Sequence, residues 1–87
     1  MKIYYAPEFA RQVERASTRH QNMAKLIARY IENHTLSELM IHHIFRPVKV
    51  RDPDLYRISM HELRILASLK TDVSGQYWIF SQLEEHG

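Results

Sequence analysis

The pattern of apolar and polar positions divides the chain into helix-like and strand-like segments. Apolar residues between Phe9 and Ile31 recur at three- or four-residue steps, as on one face of a helix. A β-type run over Lys2–Tyr5 precedes them. Period-two alternation later predicts three strands, Leu55–Met60, Glu62–Leu69 and Gln76–Leu83. The predicted order is β-α-α, a short element, then β-β-β. This is an α+β fold with two N-terminal helices packed on one face of an antiparallel β-sheet.

The long helical segment allows two interpretations. Thr18 with Gln21 three positions later is a capping-box pattern, which favours two helices, about Pro7–Ala16 and Arg19–Asn33. One continuous helix is the alternative, because neither glycine nor proline interrupts the period.

A second capping pattern, over Thr35–Glu38, predicts a short helix at Leu36–His43. The overlapping segment Leu39–Phe45 is also apolar enough to form a strand. The segment Arg46–Asp54 is predicted to approach the next strand in an extended conformation.

The hairpin around His61–Glu62 is the most informative local feature. A two-residue turn sets Ser59 opposite Arg64 and Arg57 opposite Leu66. Both arginines then share one open face, which suits phosphate, although a solvated sheet surface is the simpler interpretation. The other face receives the apolar residues that the helices are expected to cover: Tyr56, Ile58, Met60, Leu63, Ile65, Ala67 and Leu69.

The simplest register for the last strand sets Lys70 against Gln76. It adds Tyr77, Ile79 and Leu83 to the core face. It also places Trp78, Phe80 and Gln82 on the arginine face, with Gln82 opposite Arg64, and continued alternation adds Glu84 and His86.

Composition narrows the class of protein. The chain has 87 residues, so we expect a single domain over 1–87. It has no cysteine, which excludes disulfides, thiol catalysis and cysteine zinc sites. No window approaches ~18 consecutive apolar residues, so we expect no membrane span and a cytoplasmic protein. The net charge of +2 and six histidines permit a polyanionic partner.

The two strand motifs Leu55-Tyr56-Arg57-Ile58 and Leu63-Arg64-Ile65-Leu66 carry a family resemblance. With the order of elements and the histidine-bearing terminus at His86, they resemble the RelE/ParE superfamily of bacterial toxins from toxin–antitoxin modules. The resemblance implies a growth-inhibiting toxin that a cognate antitoxin neutralises. Most RelE-like members cut mRNA on the ribosome, whereas ParE-like members inhibit DNA gyrase without cleavage chemistry.

Metal-free RNA cleavage needs a base, an acid and cations around the scissile phosphate. Arg64 and Arg57 are the predicted electrostatic stabilisers. His86 is the acid–base candidate, because the ordinary pKa of histidine lies near neutrality. Glu62 is a candidate base, or it pairs with a nearby arginine.

Further residues are candidates for holding RNA. Arg46, Lys49 and Arg51 form a basic extended segment that can follow a phosphate backbone, or simply a solvated loop. Trp78 can stack on a base, or it fills a second small core with Leu66 and Ile44.

No metal site or cofactor is expected, because the adjacent histidines 42 and 43 diverge on a helix and no H-E-x-x-H spacing occurs. The leading hypothesis is a ribosome-dependent mRNA endoribonuclease toxin. The alternatives are a ParE-like gyrase inhibitor and a partner-binding protein of the same fold.

Overall fold

The computed structural model describes residues 1–42, 45–48, 53–60 and 62–85, with only the backbone described at Glu85. Its elements are β1 (Lys2–Tyr5), α1 (Pro7–Arg15), α2 (Thr18–Glu32), α3 (Leu36–Ile41), β2 (Phe45–Pro47), β3 (Leu55–Met60), β4 (Leu63–Asp72) and β5 (Gly75–Glu85). The strands form a five-stranded sheet in the order β1-β5-β4-β3-β2. β1 pairs with β5 in parallel, and the other neighbours are antiparallel. The α+β prediction is confirmed, and the first strand has the predicted bounds. Strand β2 and the parallel pairing of β1 with β5 were not predicted.

The first two helices are separate, as the capping pattern predicted. The Ser17 hydroxyl accepts a hydrogen bond from the backbone N–H of His20 at 3.2 Å, so the cap lies one residue earlier than predicted. The side-chain amide of Gln21 donates instead to the carbonyls of Val13 and Glu14, at 3.0 and 3.2 Å. Gln21 therefore binds carbonyls at the end of α1, one of which also accepts the Ala16 N–H, and links the two helices.

The short element after α2 is a helix, which decides between the two interpretations of this segment. The backbone N–H and hydroxyl of Thr35 both donate to Glu38 Oε1 at 3.0 Å, and the Glu38 N–H donates back to the hydroxyl at 3.3 Å. Hydrogen bonds from Thr35 lower the pKa of Glu38. Helix α3 ends at Ile41, before residues 43 and 44, which lie outside the described residues.

The β3–β4 hairpin has the predicted register. Ser59 lies opposite Arg64, and Arg57 lies opposite Leu66, so both arginines lie on the same face of the sheet. On the other face, the most deeply buried hairpin residues are at most 1% exposed: Ile58, Leu63, Ile65 and Ala67. The predicted core positions Tyr56, Met60 and Leu69 pack against them and are partly buried.

The predicted register of β5 is wrong by one residue. Asp72 pairs with Gly75 around a two-residue turn, so Lys70 lies opposite Tyr77 rather than Gln76. Gly75 adopts a φ of 118°, which favours glycine. Because strand side chains alternate with a period of two, a one-residue slip exchanges the faces. Trp78 and Phe80 therefore lie on the core face, both with no exposed surface.

A β-bulge at Ser81 restores part of the predicted pattern. Phe80 pairs with Ala67 and Gln82 pairs with Leu66, which leaves Ser81 as the extra residue. Its hydroxyl donates to the carbonyl of Leu66 at 2.9 Å. Beyond the bulge, the side-chain alternation is reset, so Leu83 lies in the core. Glu84, and not Gln82 as predicted, lies opposite Arg64.

The helices cover one face of the sheet. Apolar residues of α1, α2 and α3 form one cluster with the inward strand residues: Phe9, Ala24, Ile27, Ala28, Ile31 and Leu39. The ring of Phe9 meets Phe80 edge to face with centroids 5.5 Å apart. The Gln12 side chain accepts a hydrogen bond from the Leu83 N–H at 2.7 Å, which anchors α1 to β5. The opposite face of the sheet is left open.

Candidate functional site

The strand registers define the composition of the open face. From one edge of the sheet to the other, they place there Arg46, Leu55, Arg57, Ser59, Arg64, Leu66, Ser68, Lys70, Asp72, Tyr77, Ile79, Gln82, Glu84, Lys2 and Tyr4. Five of these residues are cations. Since the core side of the sheet is occupied by helices, this face is where the sheet can meet a large ligand.

Three arginines form a cluster at the β2 side of the open face. Arg46 lies directly opposite Arg57, and Arg64 is on the next strand. Among the described residues, none of the three has an ion-pair or hydrogen-bond partner for its side chain. The Nε of Arg57 is buried and has no hydrogen-bond partner in the part of the chain that the structure describes. Like charges directly opposite one another destabilise a sheet, so this cluster does not help to hold the fold together. Its guanidinium groups suit an anionic ligand.

A row of three different functional groups crosses the strands at Arg64. Ser59 of β3 lies on one side of it and Glu84 of β5 lies on the other. Arg64 and Glu84 are both half-buried, and Ser59 is exposed. A carboxylate beside a guanidinium can accept a proton while the cation stabilises negative charge on a phosphate. This row brings a possible general base to the arginine cluster.

Glu62 is held on the helix side of the hairpin. Its carboxylate accepts a hydrogen bond from the Arg19 guanidinium and lies 3.3 Å from His20 Nε2. Of the two interpretations of Glu62, pairing with an arginine is the one that the geometry favours. The ion pair is exposed and contributes little to stability, but it ties the β3–β4 turn to the start of α2.

Trp78 is not available to stack on a base. Its ring has no exposed surface and packs edge to face against Phe45 and Tyr56, with centroids 5.0 and 5.4 Å away. The prediction placed it on the arginine face because the β5 register was one residue off. The alternative of a second small core with Leu66 is also wrong, since Trp78 belongs to the main core.

Several candidate residues lie outside the described part of the chain. These are His86, Lys49 and Arg51, and the same holds for the turn residue His61 and for Ile44, the suggested neighbour of Trp78. The acid–base role of His86 and the RNA contacts of Lys49 and Arg51 therefore stay predictions. Arg46 is described, and it lies in β2 beside Arg57 rather than in a loop.

Within the described residues, no group of three side chains that could hold a metal ion is found. The helices that the structure describes are each too short or too polar to cross a membrane.

The architecture identifies the fold as RelE-like. A solved structure, the toxin–antitoxin complex RelBE2 from Mycobacterium tuberculosis, contains a chain that superposes with a TM-score of 0.70. The match covers 97% of this chain and 95% of that chain, at 11% sequence identity. No family model matches the sequence, and no curated protein matches it either. At this identity the similarity shows the fold, and the resemblance inferred from the two strand motifs is confirmed at that level.

Proposed function

We propose that this protein is the toxin of a toxin–antitoxin module and blocks translation by cleaving mRNA on the ribosome. The observation that carries the proposal is the cluster of Arg46, Arg57 and Arg64, which lack counter-ions among the described residues and share a sheet face with Glu84. The RelE-like fold supports it, because the similar solved structure is a toxin–antitoxin complex.

The proposed reaction is an internal transfer of the phosphodiester. The 2′-oxygen of the substrate attacks the neighbouring phosphorus, the bond to the 5′-oxygen breaks, and a 2′,3′-cyclic phosphate and a 5′-hydroxyl result. Glu84 takes the proton from the 2′-hydroxyl, and a general acid gives one to the departing 5′-oxygen. His86 is the candidate for that acid. Arg57 and Arg64 bind the non-bridging oxygens, where negative charge grows in the transition state.

An apolar groove between α1 and α2 favours a second candidate function. It has a volume of about 270 Å³, and its lining is almost wholly apolar: Tyr5, Phe9, Ala10, Val13, Ala24, Lys25 and Ala28. A groove of this kind fits an apolar side chain of a protein partner. Under the alternative, the helical hairpin binds DNA gyrase and the open face has no catalytic role.

One experiment separates the two candidates. The wild-type chain is expressed from an inducible promoter beside Arg64→Ala, Ala10→Arg and the control Arg29→Ala, which removes an exposed helix arginine. Incorporation of labelled amino acids and of labelled thymidine is followed after induction, and mRNA ends are mapped by primer extension.

We expect protein synthesis to stop first, new mRNA ends to appear, and only Arg64→Ala to lose the effect. If DNA synthesis stops first and Ala10→Arg is the inactive variant, the gyrase alternative is correct.

The antitoxin belongs to the same proposal. Its gene is expected to lie directly beside the gene for this chain, and co-expression of the two is expected to abolish growth arrest. Purification of a stable complex from the co-expressing cells would identify the partner. Growth arrest that persists when either neighbouring gene is co-expressed would contradict this part of the proposal.

A further inference from the structure

A second cluster lies on the open face, at the corner farthest from the arginines. The parallel register sets Lys2 of β1 beside Tyr77 of β5, and the antiparallel register sets Lys70 of β4 on the other side of Tyr77. Tyr4 projects from β1 on the same face. Its ring meets Tyr77 edge to face at 5.2 Å, and Lys2 Nζ lies 5.1 Å from its centroid. We name these residues the Tyr4–Tyr77 cluster.

This cluster has no evident structural purpose. Tyr4 is 45% exposed, and neither tyrosine belongs to the buried core or packs against it. Beside the two rings lies a cavity of about 350 Å³, which is within the size range of small-ligand sites. Its wall combines aromatic and polar side chains: Lys2, Tyr4, Asp72, Ser74, Gln76 and Tyr77.

We propose that the Tyr4–Tyr77 cluster binds an unpaired nucleobase of the same RNA strand whose phosphate lies over the arginines. The inference rests on the proposed function and adds to it a second contact, away from the scissile bond. Aromatic rings beside a basic sheet surface are the usual means by which proteins hold single-stranded nucleic acid.

The carboxylate of Asp72 indicates a base rather than a phosphate as the occupant. One oxygen, Oδ1, accepts the backbone N–H of Ser74 at 2.8 Å. The carboxylate repels a phosphate, but its other oxygen can accept a hydrogen bond from the amino group of a base. Lys2 and Lys70 stand at the rim, where the flanking phosphates would lie. The ion pair of Lys70 with Asp54 is 3.5 Å long and exposed, so Lys70 can leave Asp54 for a phosphate at little cost in free energy.

The surface between the two clusters allows a single strand to reach both. Along β4, the outward residues between Arg64 and Lys70 are Leu66 and Ser68. Their neighbours on β5 are Gln82 and Ile79, respectively. None of these is acidic. Six strand residues span roughly 20 Å, a distance that a few extended nucleotides cover. The base at the Tyr4–Tyr77 cluster is therefore a few nucleotides from the cleaved bond, and its identity would contribute to sequence preference.

The test uses short 2′-O-methyl oligonucleotides at low salt, because they lack the hydroxyl that cleavage requires. The fluorescent base 2-aminopurine is placed at each position in turn, and its quenching reports stacking on an aromatic ring. The full chain is compared with Tyr4→Leu and Tyr77→Leu, which keep apolar volume but remove the ring, and with Tyr4→Phe, which keeps the ring. Thermal melts establish that each variant is folded.

We expect strong quenching at one oligonucleotide position with the wild type and with Tyr4→Phe. Tyr4→Leu and Tyr77→Leu should lose it and bind roughly tenfold more weakly or worse. Arg57→Ala should weaken binding but retain the quenching at saturation.

Two results would overturn the inference in distinguishable ways. If the oligonucleotides bind through the arginines and both leucine variants keep the quenching and affinity, the Tyr4–Tyr77 cluster is not a base site, while the proposed function stands. If the wild type binds no oligonucleotide and Arg64→Ala remains fully toxic, both proposals fail together.

Discussion

The two faces of the sheet differ sharply although they are built from alternating residues of the same strands. Ile65 has no exposed surface and lies under the helices, whereas its neighbour Leu66 is half-buried on the open face. The covered face is apolar and closely packed. The open face carries Arg46, Arg57 and Arg64 without described counter-ions. Neighbouring residues of one strand therefore serve stability and candidate function in turn. Substitutions one residue apart should accordingly affect either the free energy of unfolding or the candidate activity.

The largest expected effect concerns neighbouring residues of β4. Ile65→Ala should lower the free energy of unfolding by about 2–5 kcal/mol, because it leaves a cavity under the helices. Leu66→Ala should cost clearly less, since its side chain is already partly in water. Urea unfolding of the two purified variants measures the difference. Equal losses would mean that the open face is packed as tightly as the core.

The second effect concerns Arg64. Arg64→Ala should reduce mRNA cleavage about a hundredfold, the usual effect of losing one preorganised donor to a growing negative charge. Its free energy of unfolding should stay within about 0.5 kcal/mol of the wild type, because the residue has no described partner. Arg64→Lys should rescue only partly, since a point charge cannot make bidentate contacts. Cleavage is followed by primer extension and stability by urea unfolding, with Arg29→Ala as the control. A folded, fully active Arg64→Ala would remove this residue from the mechanism.

A smaller effect concerns the opposed pair of Arg46 and Arg57. Arg46→Gln should raise the free energy of unfolding by roughly 0.2–1 kcal/mol, because it removes repulsion between like charges on neighbouring strands. The gain should shrink at high salt. RNA affinity should fall at the same time. Measurements of unfolding and of oligonucleotide binding at two salt concentrations test whether stability and RNA affinity change in opposite directions. A destabilised Arg46→Gln would show that the pair has a structural role.

The smallest effect concerns Glu38, which lies on neither face. Its pKa is lowered from the ordinary 4.5 by hydrogen bonds from Thr35. A carboxyl with a lowered pKa stabilises the fold above the ordinary value, and the contribution is lost as the pH falls through the lowered value. Glu38→Gln should therefore flatten the acid side of the stability curve without changing RNA cleavage at neutral pH. A steeper acid slope in the variant would contradict the assignment.

The parts of the fold that were predictable from the sequence depend on local interactions. The β3–β4 register follows from a two-residue turn, so Arg57 and Arg64 could be placed on one face in advance. The capping pattern at Thr35–Glu38 favoured α3 because its hydrogen bonds join residues three positions apart, although the sequence also left a strand open there. The pair Ser17 and Thr18 offered two adjacent hydroxyl groups, and the sequence did not indicate which one caps α2.

The parts that were not predictable depend on long-range geometry. The β4–β5 turn has two residues, whereas the predicted pairing of Lys70 with Gln76 left five residues between them. Because of this difference, the prediction placed Trp78 on the arginine face, although it lies in the core. The bulge at Ser81 then exchanged Gln82 for Glu84 opposite Arg64. Three-residue β2 has too few positions to show alternation, so the direct pairing of Arg46 with Arg57 was missed.

The parallel pairing of β1 with β5 also determines which part of the sheet can fold last. A growing chain leaves the ribosome from its N-terminal side, so β1 is made long before its partner. Ile3 and Tyr5 then have no strand to lie against until almost all of the described chain has been synthesised. Closing so long a loop is slow compared with forming a hairpin. The nascent chain can thus form the β3–β4 hairpin before β5 is complete, but it acquires the Tyr4–Tyr77 cluster only as one of its last steps of folding.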